Sequence, residues 1–263
     1  MANRISKLLT NFSGRKLLIP FFTAGYPNLN TSLKLVNIAE QCGVDMVELG
    51  VPFSDPLADG AEIQYSSKYA LDNRISVRKI LEGVKELRKK SQIPIILMGY
   101  YNPILAYGKT KFMKDAHNSG VDGLIIPDLP IEEAHLLYNQ AIKNNLSMIF
   151  LVSPTSSKER IELINQYSTD FIYAVTVAGV TGTGKVFGRK TDAYFKKLKK
   201  LLSKPFVAGF GVASPESAKR LSKYSDGVVI GSAIIKIIRN AKDKRDALKQ
   251  VENFLSKIRK AIS

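Results

Sequence analysis

Glu48 is the one charged residue in the run Met46-Val47-Glu48-Leu49-Gly50, close to the carboxyl end of that run. A carboxylate inside an apolar strand either opens onto a cavity or bears a heavy desolvation cost. Burial among apolar neighbours raises a glutamate pKa, and a carboxyl group raised in this way can donate and accept a proton near neutral pH. The bland alternative is a structural glutamate bonded to neighbouring backbone. The segment that follows, Val51 to Gly60, contains Pro52, Pro56, Asp55 and Asp59. Loops of this length and stiffness carry binding and catalytic groups. Asp55-Pro56 and Asp59-Gly60 are also ordinary turn dipeptides, and Asp59 gains interest only from its closeness to Glu48.

Two later turns are glycine-rich: Ala208-Gly209-Phe210-Gly211-Val212 and Gly231-Ser232-Ala233. Backbone amides unobstructed by side chains, with a helix starting behind them, form a cradle for a phosphate dianion. Glycine turns without a ligand are the alternative. A third stretch, Gly179 to Val186, fits the first seven positions of a nucleotide-binding phosphate loop, but Val186 stands where a hydroxyl must ligate Mg²⁺. It reads better as a lid closing over a site. The single cysteine, Cys42, permits no internal disulfide, and His117 and His135 are too far apart in sequence to suggest a metal centre.

These residues need a frame to bring them together. Apolar runs recur at Leu17 to Phe22, Met46 to Leu49, Ile95 to Met98, Gly123 to Ile126, Met148 to Val152, Phe171 to Val175, Phe206 to Ala208 and Val228 to Ile230. Each is continuous, as buried parallel strands are, and each precedes a turn and a stretch of helical periodicity. The helical stretches are Thr31 to Gln41, Val77 to Lys90, Thr110 to Ser119, Glu132 to Asn144, Lys158 to Gln166, Asp192 to Leu202, Pro215 to Lys223 and Ala247 to Ile262. Ser157, Thr191 and Ser214 are expected N-caps, the last followed by Pro215. Eight strand–helix units in 263 residues predict an α/β fold of the (β/α)₈ TIM-barrel type, with an open doubly wound sheet as the alternative. No linker divides the chain, so residues 1–263 are expected to form one domain. In such a barrel the loops after the strands converge at one mouth, which is where Glu48, Asp59 and the glycine turns would meet.

The net charge of +16 suggests an anionic partner such as RNA. The basic residues, however, lie among Leu, Ile and Phe in Lys185 to Lys204 and Lys236 to Lys260, spaced as the wet faces of amphipathic helices. A solvated lysine-rich surface is therefore expected, with no nucleic acid and no membrane partner. The segment Met1 to Asn11 is too short in apolar run for a signal peptide, and the expected location is the cytoplasm.

The motifs PFFTAGYP, VELGVPFSDPLADG, MGYYNP, DGLIIPDLP, FIYAVTVAGVTGTG, VAGFGV and VIGSAI occur in this order through nearly the whole chain. In this the sequence resembles the α subunit of tryptophan synthase. The resemblance implies a lyase that cleaves indole-3-glycerol phosphate to indole and glyceraldehyde 3-phosphate by a retro-aldol reaction, without metal or cofactor on this chain. It implies that Glu48 is the acid/base and that Asp59 accepts from the indole N–H. It further implies that Phe21, Met98, Tyr100 and Tyr173 line the indole pocket, that Thr181 sits on the lid beside Asp59, and that Gly182, Gly211, Gly231 and Ser232 hold the phosphate. The implied partner is a β subunit carrying pyridoxal phosphate, in an α₂β₂ tetramer. Ala61-Glu62, where family members often carry a proline, and Met98, where some carry leucine, depart from the pattern; the first bears on coupling to the partner. Another phosphate-binding barrel, such as indole-glycerol-phosphate synthase, would need a lysine acid at the mouth, whereas Lys16 lies at the start of the first strand. A non-catalytic, basic RNA-binding or regulatory protein is the remaining alternative.

Overall fold

The computed structural model describes residues 2–12, 14–175, 189–209 and 211–263. The strands are β1 (Leu17–Thr23), β2 (Val47–Gly50), β3 (Ile95–Met98), β4 (Gly123–Ile125), β5 (Ser147–Ile149), β6 (Leu151–Val152), β7 (Ile172–Val175), β8 (Phe206–Gly209) and β9 (Gly227–Ile230). All pairings are parallel, in the order β5-β4-β3-β2-β1-β9-β8-β7-β6. The two ends of that order are one stretch of chain. β5 pairs with β4, β6 pairs with β7, and the carbonyl of Phe150 between them accepts from the Tyr173 amide at 3.0 Å. The expected fifth strand is thus divided by its hydrogen bonding, and the sheet closes as a barrel of eight staves. An open doubly wound sheet is excluded.

Around the barrel lie α1 (Arg4–Thr10), α2 (Leu29–Gln41), α3 (Ala61–Asp72), α4 (Val77–Leu87), α5 (Tyr101–Tyr107), α6 (Lys109–Ser119), α7 (His135–Lys143), α8 (Lys158–Tyr167), α9 (Arg189–Leu201), α10 (Pro215–Ser222), α11 (Ser232–Asn240) and α12 (Lys244–Ile262). Ser157 and Ser214 cap α8 and α10 as expected, Ser214 in a reciprocal box with Ser217. Thr191 does not cap a helix, because α9 begins two residues earlier, at Arg189. The stretch Glu132 to Asn144 divides into a single 3₁₀ turn, Ile131–Glu133, and α7.

Residues alternate along each strand between two cores. Leu18, Val47, Leu49, Ile95, Leu97, Ala174 and Ala208 face the helices. Leu17, Ile19, Met46, Ile96, Ile125, Ile149, Phe171, Tyr173, Val207 and Val229 fill the barrel. Period-two alternation then fixes where Glu48 points, since it lies two residues beyond inward-facing Met46. At the other end α1 crosses the barrel floor, with Ile5 fully buried in the inner core and Leu8, Leu9 and Phe12 packed against it. At this end a carboxylate preceding one strand accepts an amide at or next to the start of another strand: Asp45 from Leu18 at 2.8 Å, Asp122 from Ile95 at 2.8 Å and Asp226 from Phe206 at 2.9 Å. Arg15 and Arg259 pair with Asp45, and Arg4 and Arg88 with Asp122, so neither buried charge stands alone.

Candidate active site at the barrel mouth

Glu48 is paired in register with Phe21 on one side and Ile96 on the other, and it is 0% exposed. Neither carboxyl oxygen has a hydrogen-bond partner among the described residues. Among the described residues nothing stabilises the anion, and desolvation alone pushes its pKa up to about 8. The structural alternative, a glutamate bonded to backbone, has no support in this geometry. Glu48 faces a cavity that is partly open to solvent, with about 440 Å³ of empty space when the open part is included.

Asp59 lines the same cavity from the loop between β2 and α3. Burial raises its pKa to about 6, against the opposing effect of a hydrogen bond from the Tyr100 hydroxyl at 3.0 Å. Near pH 7, therefore, Glu48 is mainly protonated and Asp59 mainly ionised. Two carboxyl groups whose environments hold them in opposite states supply an acid and an anion to one space.

Phe21, Met98 and Tyr173 also line the cavity, as do Gly211, Gly231 and Ser232. Gly231 precedes the first turn of α11, whose leading amides have no partner within the helix. Tyr100 stands elsewhere: its ring lies with Val51, Leu97 and Ile104 in an apolar gap behind the mouth, and its hydroxyl alone reaches Asp59. Thr181 and Gly182, with the Gly179 to Val186 loop, lie outside the described residues. Lys16 donates to the Ser225 carbonyl at 2.8 Å, at the floor of the barrel and remote from the mouth.

Sequence reasoning missed Ile63, Val212 and Val229 in the lining. Val229 was accessible by alternation, since it lies two residues before Gly231 on the same strand face. It also missed why two glycines sit at the mouth. A Cβ on Gly50 would lie 2.3 Å from the Phe21 ring, and one on Gly209 would lie 2.1 Å from the Tyr173 ring. Each aromatic ring thus occupies space that its neighbouring strand leaves vacant.

A closed (β/α)₈ barrel with a protonated and an ionised carboxyl group at its mouth defines an acid–base barrel enzyme. The sequence profile of the tryptophan synthase alpha chain family matches residues 9–263. The alpha chain of Thermoanaerobacter sp. (strain X514) is 42% identical over 99% of this chain and 100% of its own length. The crystal structure of tryptophan synthase subunit alpha from Legionella pneumophila str. Paris superposes with a TM-score of 0.93, at 36% identity, covering 100% of this chain and 99% of that one. A chain from the tryptophan synthase α2β2 complex of Pyrococcus furiosus gives a TM-score of 0.85 at 34% identity, covering 93% of this chain and 99% of that one. The protein belongs to the tryptophan synthase alpha chain family.

Proposed function

We propose that this chain carries out the α reaction of tryptophan biosynthesis, the cleavage of indole-3-glycerol phosphate to indole and glyceraldehyde 3-phosphate, and that Glu48 and Asp59 divide its chemistry. Neutral Glu48 donates its proton to indole C3, which breaks the ring's aromaticity and leaves a cationic indolenine. Anionic Asp59 accepts from the ring N–H and stabilises that cation. The resulting Glu48 carboxylate then takes the proton of the glycerol hydroxyl. As that proton leaves, the bond between C3 and the glycerol carbon breaks, its electron pair restores the indole, and the aldehyde forms. Glu48 ends the cycle protonated, as it began. The observation that carries this reading is a fully buried Glu48, without a hydrogen-bond partner among the described residues, sharing a cavity with Asp59.

Phe21, Met98 and Tyr173 supply the apolar surface for the indole, and the amides at Gly211, Gly231 and Ser232 face the phosphate. Thr181 and Gly182 remain assigned to the lid and the phosphate by resemblance alone. The acid, the anion and the amides account for each proton and charge in the reaction, so no cofactor is assigned to this chain. The floor position of Lys16 weighs against the synthase alternative, which needs a lysine at the mouth.

The partner is a β subunit carrying pyridoxal phosphate, in an α₂β₂ assembly like that of the Pyrococcus relative. Exposed leucines on the segments that follow three strands are candidate contacts for it. Leu57, Leu105 and Leu136, which follow β2, β3 and β4, are 87%, 49% and 62% exposed. No described helix is long and apolar enough to cross a membrane, and we place the enzyme in the cytoplasm. The direct test is release of indole from indole-3-glycerol phosphate by the purified chain and by Glu48→Gln. The variant should lose ~10²–10⁴-fold in rate while still binding substrate. Near wild-type cleavage by the variant would remove Glu48 from its role.

A further inference from the structure

Asp59 sits on a loop, where a side chain has no regular element to hold its rotamer. Three contacts tie this loop to one residue at the end of β3. The Tyr100 hydroxyl donates to Asp59 Oδ2 at 3.0 Å and accepts from the Ala58 amide at 3.0 Å. Its ring packs on Phe53, with 5.2 Å between centroids. Tyr100 is itself held, because it is the N-cap residue of α5, and the next amide, that of Tyr101, donates to Asp128 at 2.9 Å. The hydroxyl proton has one acceptor and its lone pair one donor, so the direction of the bond to Asp59 is fixed.

We infer that Tyr100 is a positioning residue for Asp59: its hydroxyl, oriented by the Ala58 amide, fixes the Asp59 carboxylate at the barrel mouth and favours its anionic form. This rests on the reading that anionic Asp59 stabilises the cationic indolenine, and it assigns Tyr100 a task beyond lining an indole pocket. A donor that bonds the carboxylate favours ionisation, and preorganisation places the charge before the cation forms. Among the described residues, the other titratable groups facing Asp59 are Glu48 from β2 and Tyr173 from β7, across the cavity. Asp128 acts on Tyr100 from behind, and Glu62 on α3 is engaged with Arg239. No basic side chain lines the cavity among the described residues, so Tyr100 is the group that favours the anion.

Tyr100→Phe keeps the ring on Phe53 and removes only the hydroxyl. Its kcat should fall about tenfold, the scale of one charge-assisted hydrogen bond, with KM changed less than about twofold. The acid limb of its kcat/KM–pH profile should move to higher pH, since Asp59 then ionises later. A residue that merely fills space would not move that limb. 3-Fluorotyrosine at position 100, a more acidic donor, should move the limb the opposite way and provides a second reading if the Phe variant is unstable. A limb unmoved in both variants, or a loss confined to KM, overturns the proposal. Asp59→Asn is the control on the underlying reading: if it cleaves normally, the role of Asp59 fails, whereas if it is inactive and the Tyr100 variants keep the wild-type limb, only the role of Tyr100 fails.

Discussion

The burial of Glu48 should be measurable as stability, independently of catalysis. Its pKa rises from the usual 4.5 to about 8 through desolvation alone. The folded chain therefore holds a proton that the unfolded chain releases between those values, and stability falls as pH rises across that window. Each tenfold change in proton affinity is worth ~1.36 kcal/mol, so ionisation of Glu48 costs the folded state about 4–5 kcal/mol by pH 9. That is a large fraction of the ~5–15 kcal/mol typical of a folded chain. The substitution Glu48→Gln keeps the shape of the side chain and leaves nothing there to titrate. Urea unfolding of both proteins at pH 5, 6, 7, 8 and 9, followed by far-UV circular dichroism because the chain has no tryptophan, should give a stability difference that grows with pH. The variant should gain roughly 4 kcal/mol on the wild type between pH 5 and pH 9, with most of the change below pH 8. A pH-independent difference, or a variant that loses ground on the alkaline side, would refute the reasoning, because it would mean that the folded state stabilises the Glu48 anion.

Gly231→Val would put a branched side chain where the backbone faces the phosphate, and calorimetric titration with glycerol phosphate should show at least a tenfold loss of affinity. Unchanged binding would move the phosphate site elsewhere. Adding a β subunit should raise indole formation at least tenfold, which requires only ~1.4 kcal/mol of differential stabilisation of the active arrangement; equal rates for a mixture shown by ultracentrifugation to be complexed would reject coupling. The last 75 residues hold nineteen basic and six acidic side chains, most of the +16 excess. If this face is simply solvated, binding to a mixed RNA pool should be weak and absent at ~200 mM salt, whereas a tight, salt-resistant complex would point to a second function.

The strands were legible because parallel strands buried on both faces leave unbroken apolar runs, and Glu48 was legible as the charge that interrupts one. α3 was not, for a physical reason. Its buried face is Ile63, Ser66, Ser67 and Ala70, so small and hydroxylic residues replace the apolar stripe. Ser66 is satisfied there by Thr23 at 2.6 Å and by the Ile63 carbonyl at 2.9 Å, bonds that no local pattern announces. α1 reads as an unremarkable polar N-terminus until the barrel floor gives Ile5 a place to go. At the site, the pairings of Gly50 with Phe21 and of Gly209 with Tyr173 join residues far apart in sequence, and only the pairing of neighbouring strands brings them together. The likeness of the motifs names Tyr100 as part of the site, but its bond to Asp59 is a matter of coordinates.

The helix across the floor makes the barrel a cul-de-sac. Among the described residues, α1 stops one end and packed side chains fill the barrel above it, so the way out for a molecule beside Glu48 lies on the side of the rim. Among the described residues, the loop of Asp59 and the turns at Gly211 and Gly231 frame the mouth of the cavity. In a vessel of this shape, whatever sits on the rim governs how long a product stays. The floor helix touches no reacting atom, yet it turns control of the rim into control of release.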